Sequence, residues 1–450
     1  MKIKQLVGAL ALVGMMVPSM ALATNGYFSH GYGMKAKGMG GAATATADDT
    51  FGGAVNPAKM VFVGDRLDVG VDVFMPERSV SRQDATGPFG ASGAYSGSVD
   101  SDSNVFFIPE FGYNKMLNPN LSLGVTVYGN GGMNTDFNNS LMGPSFAPSC
   151  AGASSNMLFG CGKLGVDLMQ LIVAPTVAVK LNPNHSIGIS PLLGYQRFKV
   201  DGLQTFNDTL NMGGGPFTFT NSQGNVTNNG YDNSTGWGVR IGWMGKISDT
   251  VTLGAAYSSR MRMSAFDKYK GLFAEGGDFD IPENYNIGLA VKATPKTTLA
   301  FDIQQINYSA VNAIANGVAN SVLAPQSSPL GSTTGSGFKW HDQTVYKLGV
   351  EHQYQPNLIL RAGYNYGKMP IRDDIDSMTF NILAPAMVEQ HLTLGATWTL
   401  QNKAELTFSY AHAFNKSLTG ASVTSLLGVG GTETLAMSQN SLGVAYGMRF

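Results

Sequence analysis

The chain has 450 residues, among them 57 Gly and 17 Tyr, with 10% aromatic and only 13% charged residues and a formal net charge of −1. Soluble domains carry roughly 25% charged residues, so this deficit argues for a chain that faces lipid, and the absence of a basic run or basic-aromatic motif excludes a nucleic-acid partner. Beyond the first 23 residues no stretch of about 18 or more apolar residues occurs, which excludes a helical membrane protein and leaves a soluble fold or a β-barrel.

At the N-terminus, Lys2 and Lys4 precede the uncharged run LVGALALVGMMV, and Ala21-Leu22-Ala23 forms a small-x-small cleavage site. This is the pattern of a secretory signal peptide over residues 1–23, with a mature chain starting at Thr24. Residues 24–64 are rich in Gly and Ala, carry turn signals and lack strand alternation. Their low charge and the apolar Tyr27, Phe28, Tyr32, Met34, Met39 and Phe51 predict a packed segment inside a barrel, against a disordered tail.

Residues 65–450 read as the barrel wall. In RLDVGVDVFM, Leu67, Val69, Val71 and Val73 share one face and Asp68, Gly70 and Asp72 the other. Alternation alone fits a sandwich or a barrel, and the turns decide between them. Six tight turns, at 118–120, 182–184, 248–250, 294–296, 355–357 and 401–403, alternate with long Gly/Ser/Asn-rich loops, as in outer-membrane barrels. Each turn joins two strands, and one strand at each end of the wall brings the total to fourteen, an even number as such barrels need. Near the end, Leu392, Leu394, Ala396 and Trp398 face opposite Thr393, Gly395 and Thr397. Trp237, Trp243, Tyr364, Tyr366 and Trp398 are candidates for interfacial girdles. An outward Phe450 at the C-terminus looks like the signal that outer-membrane barrels present to their assembly machinery. Cys150 and Cys161, in a secreted chain, predict a disulfide closing one external loop, against two free thiols. Two such ligands without a nearby His do not make a metal site.

Gly38-Met39-Gly40-Gly41-Ala42, Ala47-Asp48-Asp49 and Asn56-Pro57-Ala58, in this order, resemble the N-terminal region of the FadL/TodX family of outer-membrane transporters of hydrophobic compounds. The resemblance covers essentially the whole mature chain and implies a monomeric fourteen-stranded barrel with an N-terminal hatch in its lumen and no cofactor. A second match lies where Leu121, Leu123, Val125 and Val127 break into the run containing Gly129, Gly131, Gly132 and Asn134. Such glycine clusters permit bulges, and the resemblance implies an inward kink of the third strand that opens a gap in the wall. The implied mechanism is capture at the loops, lumenal binding, a hatch rearrangement and lateral release into outer-membrane lipid, beneath the polar barrier of lipopolysaccharide.

Leu141, Met142, Phe146, Leu158 and Phe159, in the loop that bears the cysteines, are candidates for a first capture patch, with packing of the loop upon itself as the alternative. Alternation directs Arg240, Arg260, Arg262, Lys347 and Arg361 toward the lumen, where each could meet a ligand carboxylate or pair with Asp48, Asp49, Asp302, Glu351 or Glu405. Long-chain fatty acids are the leading substrate class, with monoaromatic hydrocarbons or alkanes as the alternative. A general diffusion porin is disfavoured by the hatch-like N-terminus, and a surface adhesin would work through its loops. The six His lie on different segments, without G-x-S-x-G or H-E-x-x-H, so the chain shows no catalytic set.

Overall fold

The alternation that begins at Arg66 becomes fourteen antiparallel strands closed into a barrel. The computed structural model describes residues 25–83, 95–138, 140–211, 215–427 and 430–450, so the signal peptide expected over 1–23 and the start at Thr24 lie outside the described residues. The strands are β1 (Arg66–Gln83), β2 (Phe106–Asn118), β3 (Leu121–Phe137), β4 (Leu164–Lys180), β5 (His185–Asp201), β6 (Asp232–Lys246) and β7 (Val251–Ser258). They continue as β8 (Asn284–Thr294), β9 (Thr297–Ile306), β10 (Gln343–Gln355), β11 (Leu358–Gly367), β12 (Gln390–Thr399), β13 (Glu405–Ala421) and β14 (Thr432–Arg449). Closure is β1 against β14, in unbroken register from Arg66↔Arg449 to Gln83↔Thr432. The short turns join the strand ends on the side where β1 starts and β14 finishes, and the long loops fold over the other end.

The two faces divide as the period of two requires. On β1, Val69 is exposed while Asp68 and Asp72 are buried, and on β12 Leu392 and Leu394 are exposed while Thr393 is buried. An exposed apolar belt of this extent suits lipid. Trp237, Tyr364 and Tyr366 lie toward its loop end, and Trp398 toward its turn end, with Trp243 half-buried beside the turn after β6. Phe450 follows β14, half exposed, with its ring stacked on that of Tyr113 at 5.7 Å between centroids.

One expected orientation is overturned. Ser258 pairs with Arg240, whereas Arg262 pairs with Trp237, so the register between β6 and this segment slips by one residue after β7 ends. A slip of one residue turns every following side chain over. Arg262 is therefore exposed, beside the outward Trp237, and the buried positions are Met261 and Met263.

Residues 25–65 form no wall strand and are almost wholly buried within the barrel as short turns and helical pieces, including Met34–Lys37, Phe51–Ala54 and Pro57–Lys59. The small inward residues of the wall make room for them. A Cβ on Gly349 or Gly363 would meet Met39, and one on Gly188 would meet Pro57.

Candidate functional site

The hatch motifs are its anchors to the wall. Gly40 and Gly41 both have positive φ, at 64° and 85°, and their Cβ atoms would fall 2.7 Å from the Tyr364 carbonyl oxygen and 1.8 Å from that of His30. Only glycine meets both the backbone conformation and the close approach. Gly38 lies against Gly395 in the same way. The Asn56 side chain donates to the Thr44 and Trp243 carbonyls at 2.9 Å each and accepts from Ala58 N–H at 3.1 Å, so it caps the turn begun by Pro57. Asp49 accepts from Phe51 N–H at 3.1 Å and lies 3.7 Å from Lys59 Nζ, while Asp48 offers its backbone carbonyl to Lys35.

Buried charges tie the same body to the wall. Lys37 pairs with Asp72 on β1, and Lys35 with Glu405 on β13, which Arg66 shares at 2.8 Å. Asp302 on β9 accepts from the Ala43 and Thr44 N–H groups and the Thr44 hydroxyl, at 2.7–2.9 Å.

Pairing between β2 and β3 ends just before the glycine run of β3. β2 pairs with β3 only from Asn118↔Leu121 to Phe111↔Val127, while it stays paired with β1 up to Phe106. From Tyr128 on, β4 is the one wall strand that pairs with β3, across a bulge between Gly129 and Gly131, and the side chains there are buried except the half-buried Asp136. The stretch Phe106 to Glu110 thus borders a seam, and Pro109 within it has no N–H to offer a neighbour. Phe74, Phe106 and Ile108, from the inner face of β1 and β2, cluster there with Met169 of β4. This apolar cluster closes the seam.

On the lumenal side, the first hatch residues occupy the freed edge of β3. Phe28 bridges to Gly131, Ser29 N–H donates to the Asn130 carbonyl at 3.2 Å, and Gly132 N–H donates to the Tyr27 carbonyl at 3.2 Å. A Cβ on Gly131 would lie 1.9 Å from that carbonyl oxygen, so glycine is required. The Tyr27 ring sits among Phe28, Tyr308, Trp340 and Phe279, with centroids 5.3–6.3 Å away.

Toward the loop end lies a narrow cavity lined by Val166, Phe198, Val200, Leu203, Phe206, Leu272, Phe273, Phe338, Phe380 and Leu383, with Ala313, Gly337 and Ser336. No charged side chain lines it. The capture patch expected in the neighbouring loop takes a different form. Leu141, Leu158 and Phe159 are buried, and the half-buried Phe146 stacks on Phe159 at 5.0 Å, with Tyr95 against both rings. The Cys150–Cys161 disulfide closes this loop around its own aromatic core. Of the candidates, only Met142 is freely exposed, at 83%.

The candidate bases are largely committed. Arg361 pairs with Glu351 at 2.6 Å and donates to Thr397, and Arg240 donates to the hatch carbonyl of Gly53 at 2.6 Å and to the Tyr128 hydroxyl. Arg260 lies in the loop after β7, paired with Asp280 and 3.8 Å from Asp278, whose carboxyl is pushed up to about 7 by burial and by its hydrogen bond with Asp280. Lys347 is buried, in register with Asp302. A residue outside the sequence-derived candidates, Arg78, is also buried and borders the seam. The signal for it was present, because the alternation that turns Asp68 and Asp72 inward on β1 does the same for position 78.

The sequence of this closed barrel matches, over residues 10–450, the family model described as outer membrane protein transport protein (OMPP1/FadL/TodX). The chain belongs to this family. Its members are outer-membrane transport proteins, not enzymes, and the chain is accordingly an outer-membrane β-barrel. Among solved structures it is similar to a Pseudomonas aeruginosa FadL homologue, at 15% identity and a TM-score of 0.68, covering 94% of this chain and 100% of that one. It is also similar to the Pseudomonas putida toluene transporter TodX, at 16% identity and a TM-score of 0.64, covering 94% and 99% of the two chains. The Ralstonia pickettii toluene transporter TbuX aligns over the same shares at 16% identity and a TM-score of 0.61. At these identities the likeness establishes the fold. Comparison with curated protein sequences gives no match.

Proposed function

We propose that this protein carries hydrophobic small molecules, long-chain fatty acids foremost, across the outer membrane and releases them sideways through the seam between β2 and β3. The single observation that carries the reading is the seam itself, a break in wall pairing where apolar side chains cluster and against which the first hatch residues lie. A molecule that prefers apolar surroundings gains about 0.8 kcal/mol for each buried methylene, so the phenylalanine-lined cavity draws an acyl chain inward without chemistry. Entry requires those rings to part, because the cavity is narrow. From there the path runs past Tyr27 to the seam, and the hatch need not leave the lumen. The ligand passes into lipid below the lipopolysaccharide layer, the barrel works as a monomer, and Phe450 serves the assembly machinery.

Monoaromatic hydrocarbons are the second reading, favoured by a cavity that offers phenyl rings and no charge, and by the toluene transporters among the structural neighbours. Uptake of radiolabelled oleate and of labelled toluene, by a strain lacking its own transporter and with or without this gene, separates the readings. Gene-dependent oleate uptake supports the first, toluene uptake alone the second, and uptake of neither contradicts both.

A further inference from the structure

Arg78 stands at the seam, its guanidinium 5.8 Å from the centroid of the Phe106 ring. It is 5% exposed. Its Nη1 donates to the Asn134 carbonyl on β3, and its Nη2 to the Ser103 carbonyl just ahead of β2, so one guanidinium ties β3, beyond its last pairing with β2, to the segment that leads into β2. Weaker bonds at 3.3 Å reach the Ser101 hydroxyl and the Asn104 side-chain oxygen, and Nε has no partner. Among the described residues no carboxylate lies within ion-pair distance of it, whereas the buried Arg66, Arg82 and Arg361 each hold one. A buried cation without a counter-ion is costly, and neutral carbonyls compensate it only in part.

The surroundings show what could supply the missing charge. With Asn134, Arg78 is the polar element of an otherwise apolar cavity against the seam, where Tyr27, Phe74, Met133 and Trp340 meet. We propose that Arg78 is a charge-selective latch: it holds the seam shut through two backbone carbonyls and exchanges them for the carboxylate of an incoming apolar acid. The exchange is favourable because a carboxylate gives the buried guanidinium the counter-ion and the two-pronged acceptor that separate neutral carbonyls do not supply. Losing its bonds to Arg78 frees β3 beside Asn134 as the hydrocarbon body reaches the apolar stopper. A neutral hydrocarbon of equal length cannot make the exchange. This inference rests on the lateral-release reading above.

The test compares initial uptake rates of radiolabelled oleate and oleyl alcohol, equal in chain length and differing in charge, in cells lacking their own transporter. For Arg78→Gln the ratio of acid to alcohol uptake is expected to fall about tenfold, and Arg78→Lys, which keeps the charge and loses the fork, to restore part of it. The ratio is insensitive to how much barrel reaches the membrane, which heat-modifiable gel mobility monitors separately. An unchanged ratio in both variants would overturn the latch and reduce Arg78 to a structural strap. Wild-type cells that import the alcohol but not oleate would overturn it while leaving lateral transport standing, and import of neither would overturn both.

Discussion

The hatch has two unlike parts. Residues 34–65 are fixed by buried ion pairs to β1 and β13, by Asp302 and Asn56, and by glycines that allow backbone-to-backbone contact. Residues 25–29 are held by a few backbone hydrogen bonds to β3, the Tyr308 hydroxyl and aromatic packing. Both are buried, so burial does not tell the fixed part from the one proposed to move. The kind of contact does, because a broken buried ion pair strands a charge, whereas residues 25–29 give up neutral hydrogen bonds and aromatic packing, each of smaller cost. The second part also lies against the seam through which release is proposed.

Substitutions on the two sides should therefore behave differently. Asp72→Ala leaves Lys37 buried without its partner and should lower barrel stability by ~3–5 kcal/mol in urea unfolding. A loss under about 1 kcal/mol would mean that the first part is not held by its charges. Gly131→Val drives a side chain into the Tyr27 carbonyl. It should cost about 1–3 kcal/mol, as overpacking does, and depress oleate uptake by pushing Tyr27 into the cavity at the seam. Unchanged uptake would remove β3 from the path. The smallest effect is expected for Tyr308→Phe, which deletes the hydroxyl that accepts from Tyr27 N–H and donates to the Asn25 carbonyl. About 0.5–1.5 kcal/mol is lost from the movable part, so uptake should rise modestly while the unfolding midpoint barely shifts. A drop in uptake would show this segment to be a required fixture.

The wall was legible in the sequence because period-two alternation and turn length are local properties. The turns at 118–120 and 401–403 fixed strand number without any knowledge of packing. Arg262 was misread because the slip after Ser258 arises from pairing with β6, which leaves no mark in the segment itself. Leu158 and Phe159 were legible as apolar but not as buried, since their cover is Tyr95 from another loop and a ring stack within their own. The bulge in β3 was signalled by Gly129, Gly131 and Gly132, yet the place where β2 stops pairing depends on the neighbouring strand, in which Pro109 was the local hint. Arg78 stood on a face the alternation had already assigned, and its importance emerges only when the opposing acids are mapped in space.

Photolabelling tests the central claim, lateral release, most directly. Cells expressing the intact protein would import a diazirine-bearing oleate, be irradiated during uptake, and have the labelled peptides identified. Lateral release predicts label on the peptides carrying Phe74, Phe106, Ile108 and Met169. Label confined to the turn-end side of the hatch, around Asn56 to Gly64, would show passage along the barrel axis and contradict it.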